Sequence, residues 1–592
     1  MPCGICSHIY ELFFMDANSN PAVSSKLLSH PFITCAAAGA MLSVPFFDGR
    51  LFFLAFPALI LFMYVLFSRP RRLFALCFVF AFLFHLLLYS FFVFLYPLDW
   101  FGLSDAESAA VVVLAALGIP AVHSLLFALI FMLSRFMPRR RMLMPFFSAS
   151  LWVVFEWALS LGQLAFPWGR LAVSQYLFLP MIQTASLFGA YFIAFVMVVS
   201  CAFFALFAVA PRRSALAAGC IVLAGNILAG TLMMSIPADT DVTVKAAVVQ
   251  GNIPSDEKWD KERAKDIFNT YVSLAEEAAQ NGASFILLPE SAVPVQFTEG
   301  GALHTAYAEI TEEYGCTIVT GAIFKDDKSE YNSVIAIFPD GSLSERYVKR
   351  HIVPFGEFMP YEDVLKRAFP FLEELNIGDS DCVQGTESTV IDVCGIPAGP
   401  LVCYDSIFAS LSADSVKNGA KLLAVVTNDS WYKDSAALSQ HMAHSVLRAV
   451  ENGTYTVRAA NTGISCIIAP NGSIITMTEP ETRSVAYADV GAATRRTLYS
   501  YIGDVLLYVC IAYVACMSFL CVGVAEGIVE ESQRRAERGD RRRVSPVGDI
   551  AVFDRHRTDR VAEFQKSSGV DRHGAADAGG VFRIGDHVGA VV

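Results

Sequence analysis

The sequence of 592 residues has little charge, since Asp, Glu, Lys and Arg make up only 17% of it. Soluble domains contain about a quarter charged residues. Because hydrophobic residues make up 55% of the chain, we expect a membrane-embedded protein rather than a soluble one. The formal net charge of -12 offers no basic face of the kind that nucleic-acid binding requires, so no nucleic-acid partner is expected.

Other patterns are also missing. The sequence has no glycine-rich phosphate loop, and its CxxC pair, Cys3 and Cys6, has no second pair of ligands at metal-binding spacing, so the sequence predicts neither a cofactor nor a metal site. Residues 1–29 lack the basic start and the apolar run of a secretory signal. The distribution of arginines between the loops, given below, predicts that residues 1–30 form a cytoplasmic N-terminal segment.

The sequence instead has apolar runs of roughly 20 residues, the length that crosses a bilayer as a helix. Seven runs precede a polar segment and one follows it, which predicts eight transmembrane helices. We assign residues 31–236 to a seven-helix domain and residues 502–527 to the last helix. The runs lie at 31–47, 51–67, 73–95, 109–133, 142–164, 179–208, 215–236 and 505–524.

Arginines are concentrated in alternate loops between these runs, and cationic loops stay in the cytoplasm. Residues 237–501 should then lie on the outer, periplasmic face of the membrane. The tail, residues 528–592, is rich in Arg, Asp and Gly, which predicts a disordered cytoplasmic segment. The loop arginines are Arg69, Arg71, Arg72, Arg135, Arg139, Arg140, Arg141, Arg212 and Arg213.

The outer segment alternates short strands rich in Val and Ile with amphipathic helices, which predicts an α/β sandwich. Helices are expected at 258–280, 301–314 and 438–452, the last with one polar face. Strands are expected at 244–249, 285–288, 317–320, 334–338, 401–403, 422–427, 464–469 and 474–477.

Three motifs in this segment each place a reactive side chain at the end of an apolar run. Glu290 follows Leu-Leu-Pro, Lys349 follows Tyr-Val, and Cys403 follows Leu-Val. A cysteine nucleophile needs a base for its proton and a cation for the oxyanion. Alone, such a Cys is more often an inert buried thiol, and such a Glu or Lys a surface charge. Their joint occurrence favours a catalytic site.

The three motifs resemble the Glu-Lys-Cys triad of the nitrilase, or carbon–nitrogen hydrolase, superfamily. Together with the apolar runs, residues 31–524 resemble the apolipoprotein N-acyltransferase family of bacterial envelopes. The motifs that carry this resemblance are Val249-Gln250-Gly251-Asn252-Ile253-Pro254 with Lys258-Trp259, Pro354-Phe355-Gly356-Glu357-Phe358, Thr427-Asn428-Asp429-Ser430-Trp431, Gln440-His441, Arg458-Ala459-Ala460-Asn461-Thr462-Gly463 and Phe166-Pro167-Trp168.

The resemblance implies an αββα sandwich at 237–501 and a phospholipid:apolipoprotein N-acyltransferase without a cofactor. Glu290 would deprotonate Cys403, which would take an acyl chain from a membrane phospholipid as a thioester. Lys349 and a backbone amide near Tyr404 would hold the oxyanion. The acceptor would be the N-terminal amine of a diacylglyceryl-cysteine apolipoprotein. The resemblance places the enzyme in the bacterial inner membrane, and we expect it to be a monomer.

Further site residues are expected around this triad. Glu357 is interpreted either as a partner that orients Lys349 or the amine, or as a structural ion pair. Three aromatic residues are either walls for acyl chains or ordinary core. His441 and Arg458 are assigned structural roles. The remaining supporting candidates are Asn428, Asp405, Trp259, Tyr404 and Trp431.

Two departures from the family pattern affect substrate contacts. Asp405 replaces the usual Glu, and residues 432–439 lack the usual glycines and proline. Two alternatives to the acyltransferase stay open. One is a membrane-bound amidase or nitrilase acting on a small amide, and the other is a membrane scaffold with an inactive hydrolase domain. Residues 355–372, in which apolar and charged side chains alternate, are either a mobile lid or a fixed amphipathic cap.

Overall fold

The apolar runs of the first half of the chain form a helical bundle, because a helix satisfies its own backbone polar groups where water is absent. The computed structural model describes residues 29–68, 70–98, 102–138, 140–236, 240–326, 329–368 and 381–520. The bundle helices are α1 (Pro31–Phe47), α2 (Ala55–Phe67), α3 (Leu73–Leu88), α4 (Asp105–Phe131), α5 (Met144–Ala158), α6 (Leu179–Ile182), α7 (Ala185–Phe188), α8 (Ala190–Val209) and α9 (Arg213–Met234).

Four helical stretches of the described chain are long and apolar enough to cross a membrane. They are Gly49–Phe67, Asp105–Phe136, Ala190–Val209 and Arg213–Met234. The expected count of eight spans is therefore met only in part, because α1, α3 and the helix at 505–520 are apolar but only 10–17 residues long.

The sixth predicted span is wrong as a continuous helix. Gly189 has a φ of +77°, which ends α7 and starts α8 in a new direction. A Cβ atom at this position would lie 2.6 Å from the Tyr499 ring, so the break also needs the small residue. The backbone amide of Ala190, at the start of α8, donates to the Glu451 carboxylate at 2.9 Å.

Phenylalanines fill the interior of the bundle as well as its outside. The rings of Phe62 and Phe80 stack with their centroids 4.0 Å apart, and those of Phe127 and Phe131 with theirs 4.2 Å apart. The one acidic residue predicted inside a span, Glu156, is buried, and it accepts hydrogen bonds from the Trp152 indole and the Leu171 amide.

The outer segment forms two sheets. One has the strand order β13-β1-β2-β3-β4-β5, with β6 beside β4, and the other has the order β12-β11-β10-β9-β8-β7. The strands are β1 (Thr240–Gln250), β2 (Phe285–Leu287), β3 (Thr317–Lys325), β4 (Ser329–Ile337), β5 (Tyr347–Val348), β6 (Asp381–Cys382), β7 (Ile391–Val393), β8 (Ile396–Val402), β9 (Leu422–Thr427), β10 (Tyr455–Ala460), β11 (Cys466–Ile468), β12 (Ile474–Met477) and β13 (Ser484–Ala493).

The two sheets pack face to face, and helices cover both outer faces. Alternate residues of β1 divide between these layers: Val248 packs against the second sheet, and Val249 against the helical layer. The expected α/β sandwich is confirmed. Its helices, in chain order with those that follow it, are α10 (Ser255–Lys258), α11 (Ala264–Gln280), α12 (Ala302–Tyr314), α13 (Glu362–Ala368), α14 (Ala409–Lys417), α15 (Ala437–Asn452), α16 (Leu498–Ile502) and α17 (Val505–Leu520).

Helix α15 joins the sandwich to the bundle. Its apolar residues belong to the same core as the bundle helices and the second sheet. Its predicted polar face is buried rather than solvated: Gln440 accepts a hydrogen bond from the Trp168 indole at 2.7 Å, and Arg448 and Glu451 form an ion pair. The polar face therefore supplies hydrogen bonds between the two parts of the molecule.

Parallel strands bring the sequence motifs to one edge. Strands β1, β2 and β3 run parallel in the first sheet, as do β8, β9 and β10 in the second. Glu290 lies three residues after β2, and Cys403 directly follows β8. Residues that follow parallel strands meet at the carboxyl ends of those strands, where α/β folds place their sites.

Candidate active site

Cys403 lies at a sharp turn between β8 and a 3-10 helix, Cys403–Ile407. Its φ of +49° is in the left-handed region, which costs a residue with a Cβ about 1–3 kcal/mol. Two hydrogen bonds hold its carbonyl oxygen, one from the Ser406 hydroxyl at 2.7 Å and one from the His441 ring at 3.2 Å. Cys403 as a residue is half-buried, and it lies just beyond the end of β8.

Glu290 is buried and receives three side-chain or backbone donors. Its Oε1 accepts from the Asn332 amide at 2.7 Å and from the Lys349 ammonium at 3.2 Å, and its Oε2 accepts from the Asn428 backbone amide at 2.8 Å. Glycine at position 321 of β3 makes room, since a Cβ there would lie 2.5 Å from the Glu290 Cα. The carboxylate is thus held by groups from both sheets.

Lys349 follows β5 and is buried between two carboxylates. Its Nζ lies 2.8 Å from Oε1 of Glu357 and 3.2 Å from Oε1 of Glu290. Glu357 is fixed in turn, because its Oε2 accepts from the Val353 amide at 2.8 Å and its Oε1 from the Asn332 side chain at 3.2 Å. These contacts fix the position of the Lys349 ammonium, and its positive charge faces two carboxylates.

These contacts set the charges of the triad. Burial raises the pKa of Glu290, but the Lys349 ammonium, the Asn332 amide and Lys258 outweigh it, so the pKa lies below its ordinary value. Burial lowers the pKa of Lys349, yet Glu290 and Glu357 raise it well above its ordinary value. Burial and the Glu290 carboxylate raise the pKa of Cys403, which Lys349 opposes. Because the pKa of Cys403 is raised, formation of a thiolate requires a nearby base to take the proton and cations to stabilise the negative charge.

Asp405 ties the cysteine turn to the lysine segment. Its Oδ1 accepts from the His351 amide at 2.7 Å, and its Oδ2 accepts from the Tyr347 hydroxyl at 2.9 Å and the Val402 amide at 3.1 Å. The side chain is fully buried, and burial raises its pKa to about 6. Asp405 therefore fixes the position of Lys349 relative to Cys403.

The residue after Cys403 touches the bundle. The Tyr404 hydroxyl donates a hydrogen bond to the carbonyl oxygen of Ala165, in the loop between α5 and a 3-10 helix at Leu171–Gln175. The rings of Phe166 and Tyr404 stack with centroids 6.2 Å apart, and the Phe166 and Trp168 rings stack at 5.5 Å. The Phe-Pro-Trp motif of the sequence is the surface on which the cysteine turn docks.

A second charged group lies behind Cys403. Asp429, two residues after the end of β9, accepts from the His441 ring at 2.8 Å and from the Arg458 guanidinium at 2.8 Å. Ligand atoms of Cys403, Asp429 and His441 lie within 4.8 Å of one another. The Arg458 cation already occupies one Asp429 oxygen, so the arrangement suits an ion-pair network better than a metal ion.

The other expected residues lie in different surroundings. Asn428 is buried and accepts from the Ser430 hydroxyl at 3.0 Å, besides donating its backbone amide to Glu290. Trp259 is 47% exposed, so its interpretation as a core residue is wrong. Trp431 is half-buried. Phe369 and Phe371 of the expected lid lie outside the described residues.

Two site residues escaped the sequence analysis. The Lys258 ammonium is buried and donates to the Glu290 carbonyl oxygen at 3.0 Å, and burial lowers its pKa to about 8. Lys258 belongs to the Lys258-Trp259 motif of the family resemblance, so that motif could have identified it as a residue of the site. Asn332 lies in β4 without any motif around it, and no local pattern marked it.

The loop that departs from the family pattern is also anchored to the bundle. Lys433 donates from its ammonium to the Tyr96 carbonyl oxygen at 2.9 Å, and the Tyr432 ring lies 5.4 Å from that of Phe91 and 5.7 Å from that of Trp168. The altered sequence therefore keeps a packed contact with the bundle rather than leaving the site open on this side.

Comparisons with known proteins agree with this architecture. The family model "Apolipoprotein N-acyltransferase N-terminal domain" matches residues 38–226, and the model "Carbon-nitrogen hydrolase" matches residues 245–499. A curated apolipoprotein N-acyltransferase of Geobacter metallireducens is 33% identical over 62% of this chain and 73% of its own length. That of Bradyrhizobium diazoefficiens is 30% identical over 67% of this chain and 77% of its own. That of Gloeobacter violaceus is 30% identical over 69% of this chain and 78% of its own length.

The two matched regions coincide with the bundle and with the sandwich that contains Glu290, Lys349 and Cys403. This chain covers more than two thirds of the length of both of these relatives, at 33% and 30% identity. The chain belongs to the apolipoprotein N-acyltransferase family.

Proposed function

We propose that this protein transfers a fatty acyl chain from a membrane phospholipid, through a thioester on Cys403, to the N-terminal amine of diacylglyceryl-cysteine apolipoproteins. The observation that carries this proposal is the contact between Tyr404 and Ala165. It joins the nucleophile's turn to a loop of the apolar bundle. A donor that resides in a bilayer suits such a site better than a small soluble amide does.

The contacts of the triad support a role for each residue. Glu290 takes the proton of the Cys403 thiol, and the thiolate attacks the ester carbonyl of the phospholipid. Lys349 and a backbone amide near Tyr404 stabilise the oxyanion. When the C–O bond breaks, Glu290 returns the proton to the leaving lysophospholipid oxygen, and the acyl chain stays on sulfur as a thioester.

The second half-reaction uses the same groups in reverse. The acceptor amine attacks the thioester carbonyl, and Glu290 takes a proton from the nitrogen. The C–S bond then breaks, and the leaving thiolate of Cys403 recovers the proton. Glu357 holds Lys349 in place. Asp405 fixes the Cys403 turn against the segment that contains Lys349, and the Asn428 backbone amide holds the Glu290 carboxylate. Trp259 and Trp431 are proposed contacts for acyl chains.

The location follows from the same proposal. We propose that residues 237–501 lie on the periplasmic face of a bacterial inner membrane, because arginine-rich loops stay in the cytoplasm. The bundle at 31–236 and the helix at 502–527 would then be the membrane domain, and one chain would suffice for activity. Accessibility labelling of single cysteines placed in the loop at 135–141 and near residue 480 tests the orientation.

The decisive experiment is mass spectrometry of the full chain in detergent micelles after incubation with phospholipid. We expect an acyl adduct on the Cys403 peptide that hydroxylamine removes at neutral pH. The adduct should be absent in Cys403→Ala and, if it forms in Cys403→Ser, should resist hydroxylamine because it is an oxygen ester. Cys316→Ala, which changes a buried thiol in the layer between the first sheet and its helices, is the matched control and should keep the adduct.

The acceptor is tested separately, by adding a synthetic diacylglyceryl-cysteine peptide to the acylated enzyme. A mass gain of one acyl chain on the peptide, with loss of the enzyme adduct, supports the proposal. Loss of the adduct to free fatty acid alone would favour a hydrolase that uses water. No adduct at all would favour the inactive scaffold or the small-amide hydrolase.

A further inference from the structure

The group behind Cys403 contains one carboxylate and two side chains that can be cationic. The Asp429 carboxylate lies 2.8 Å from both the His441 Nδ1 and an Arg458 guanidinium nitrogen. All three residues are fully buried. A ring nitrogen of His441 lies within 4.8 Å of the Cys403 sulfur, so the charge on this ring bears directly on the thiol.

The Nδ1 side of His441 faces an acceptor. Asp429 is a carboxylate here, because Arg458 donates to its Oδ2 and the Thr427 hydroxyl donates to its Oδ1 at 2.9 Å. Although burial raises the pKa of Asp429, His441 and Arg458 lower it well below the ordinary value. A carboxylate only accepts hydrogen bonds, so Nδ1 must bear a proton.

The Nε2 side of His441 also faces acceptors. It lies 3.2 Å from the Cys403 carbonyl oxygen and 3.2 Å from the Ser406 Oγ. The Cys403 carbonyl oxygen, which can only accept, is also 2.7 Å from the Ser406 hydroxyl. The carboxylate oxygen at Nδ1 and the carbonyl oxygen at Nε2 can only accept, so both contacts require a protonated ring nitrogen.

We propose that His441 is a protonated imidazolium that stabilises the Cys403 thiolate and holds the strained turn at its carbonyl. This extends the proposed function, since it takes Cys403 as the nucleophile. Lys349 cannot stabilise the Cys403 thiolate alone, because its positive charge already faces the carboxylates of Glu290 and Glu357. Behind the cysteine, one carboxylate balances one of two cations, so the His441 group carries one net positive charge.

The other groups around the ring do not offset this charge. Tyr432 packs at 6.4 Å between ring centroids, and Trp168 at 5.3 Å. His444, one turn later on α15, points its Nε2 at the Trp168 carbonyl oxygen at 3.1 Å rather than at Cys403. Burial and the Arg448 cation hold the pKa of His444 well below its ordinary value, so its ring is neutral.

The test is the pH dependence of Cys403 alkylation by iodoacetamide in the full chain in detergent, followed on the Cys403 peptide by mass spectrometry. The variant is His441→Gln, which is neutral, and the matched control is His444→Gln on the same buried helix. An opposite charge at this distance lowers a pKa by about 1–3. We therefore expect His441→Gln to react about tenfold more slowly at pH 7 and to reach the wild-type rate at high pH.

An alkylation midpoint that stays at the wild-type pH in a folded His441→Gln protein would overturn the proposal. Folding is checked by the thermal unfolding midpoint. If this variant does not fold, deuterium exchange at the His441 C2 position in the wild type decides, because it reports the protonation of that ring. An exchange midpoint above pH 7 supports the imidazolium, and a midpoint at or below pH 7 refutes it. Neither assay needs phospholipid, so each is independent of whether the acyl adduct forms.

Discussion

Asp405 offers the sharpest test of the site's electrostatics, through the change Asp405→Asn. The carboxylate receives donors from His351, Tyr347 and Val402 while being fully buried. An Asn amide can accept from the His351 amide and donate to the Tyr347 hydroxyl oxygen. It would leave the Val402 amide without a partner, which costs about 1–3 kcal/mol.

The charge effect has the opposite sign. Burial raises the pKa of Asp405 from 3.8 to about 6. A raised folded-state pKa means that the wild type is relatively more stable below pH 3.8, and that this advantage is lost as the pH rises to about 6. At about 1.4 kcal/mol per pKa unit, the ionised form is about 3 kcal/mol less favourable in the folded protein. Asp405→Asn removes this penalty.

The two effects predict a crossover. At pH 4 the variant should be less stable than the wild type by about 1–3 kcal/mol, and at pH 7 it should be equally or more stable. Thermal unfolding of both proteins in the same detergent, from pH 4 to pH 8, measures this difference. Asp414→Asn, which breaks a surface ion pair with Arg350, is the control and should shift the midpoint little, since such pairs contribute about 0–1 kcal/mol.

A constant difference between Asp405→Asn and wild type over the whole pH range would refute the reasoning. It would mean that the Asp405 carboxyl has the same pKa in the folded and unfolded chain. The crossover does not depend on catalysis, so an inactive variant still tests it.

The remaining predictions concern contacts around the triad. Glu357→Gln should slow formation of the Cys403 adduct by roughly ten- to a hundredfold, because about 1.4–2.7 kcal/mol of support for Lys349 is lost; single-turnover mass spectrometry measures this, and an unchanged rate contradicts it. Tyr404→Phe should lower stability by about 1 kcal/mol and reduce acylation from phospholipid vesicles more than from a soluble thioester. An equal loss on both donors would argue against the bundle contact as a lipid-side feature. Arg458→Met should destabilise the fold by about 3–5 kcal/mol, seen as a lower unfolding midpoint, because it leaves the Asp429 charge buried with one partner fewer; an unchanged midpoint would contradict this.

Strongly periodic parts of the chain were predicted well from the sequence. The strands expected at 422–427 and 474–477 coincide with β9 and β12, and the helix expected at 438–452 differs from α15 by one residue. Hydrophobic strands bounded by polar turns specify themselves locally. The three candidate reactive residues could be named from the sequence because each follows the end of an apolar run, and their catalytic roles stay a prediction.

Other elements were missed because long-range contacts define them. Strand β10 contains Arg458, and a charged residue argues against a buried strand when the sequence is read locally. The charge is tolerated because Arg458 forms an ion pair with Asp429, which lies just beyond the end of the neighbouring strand β9. Strand β13 lies beside β1, more than 200 residues earlier in the chain, and its own sequence is only weakly apolar. The break before α8 depends on Gly189 and on Tyr499, which packs against it.

The sequence by itself determined the chemistry available: a membrane-embedded chain with a carboxylate, an ammonium and a thiol, each at the end of an apolar run. The tertiary structure decided which groups meet and what charge each has. Glu290 and Lys349 are 59 residues apart, yet their side chains are in contact, and Asn332, Asp405 and His441 reach the site from other elements. The physical reason is that hydrogen bonds and ion pairs act over a few ångströms of space, whatever the separation along the chain.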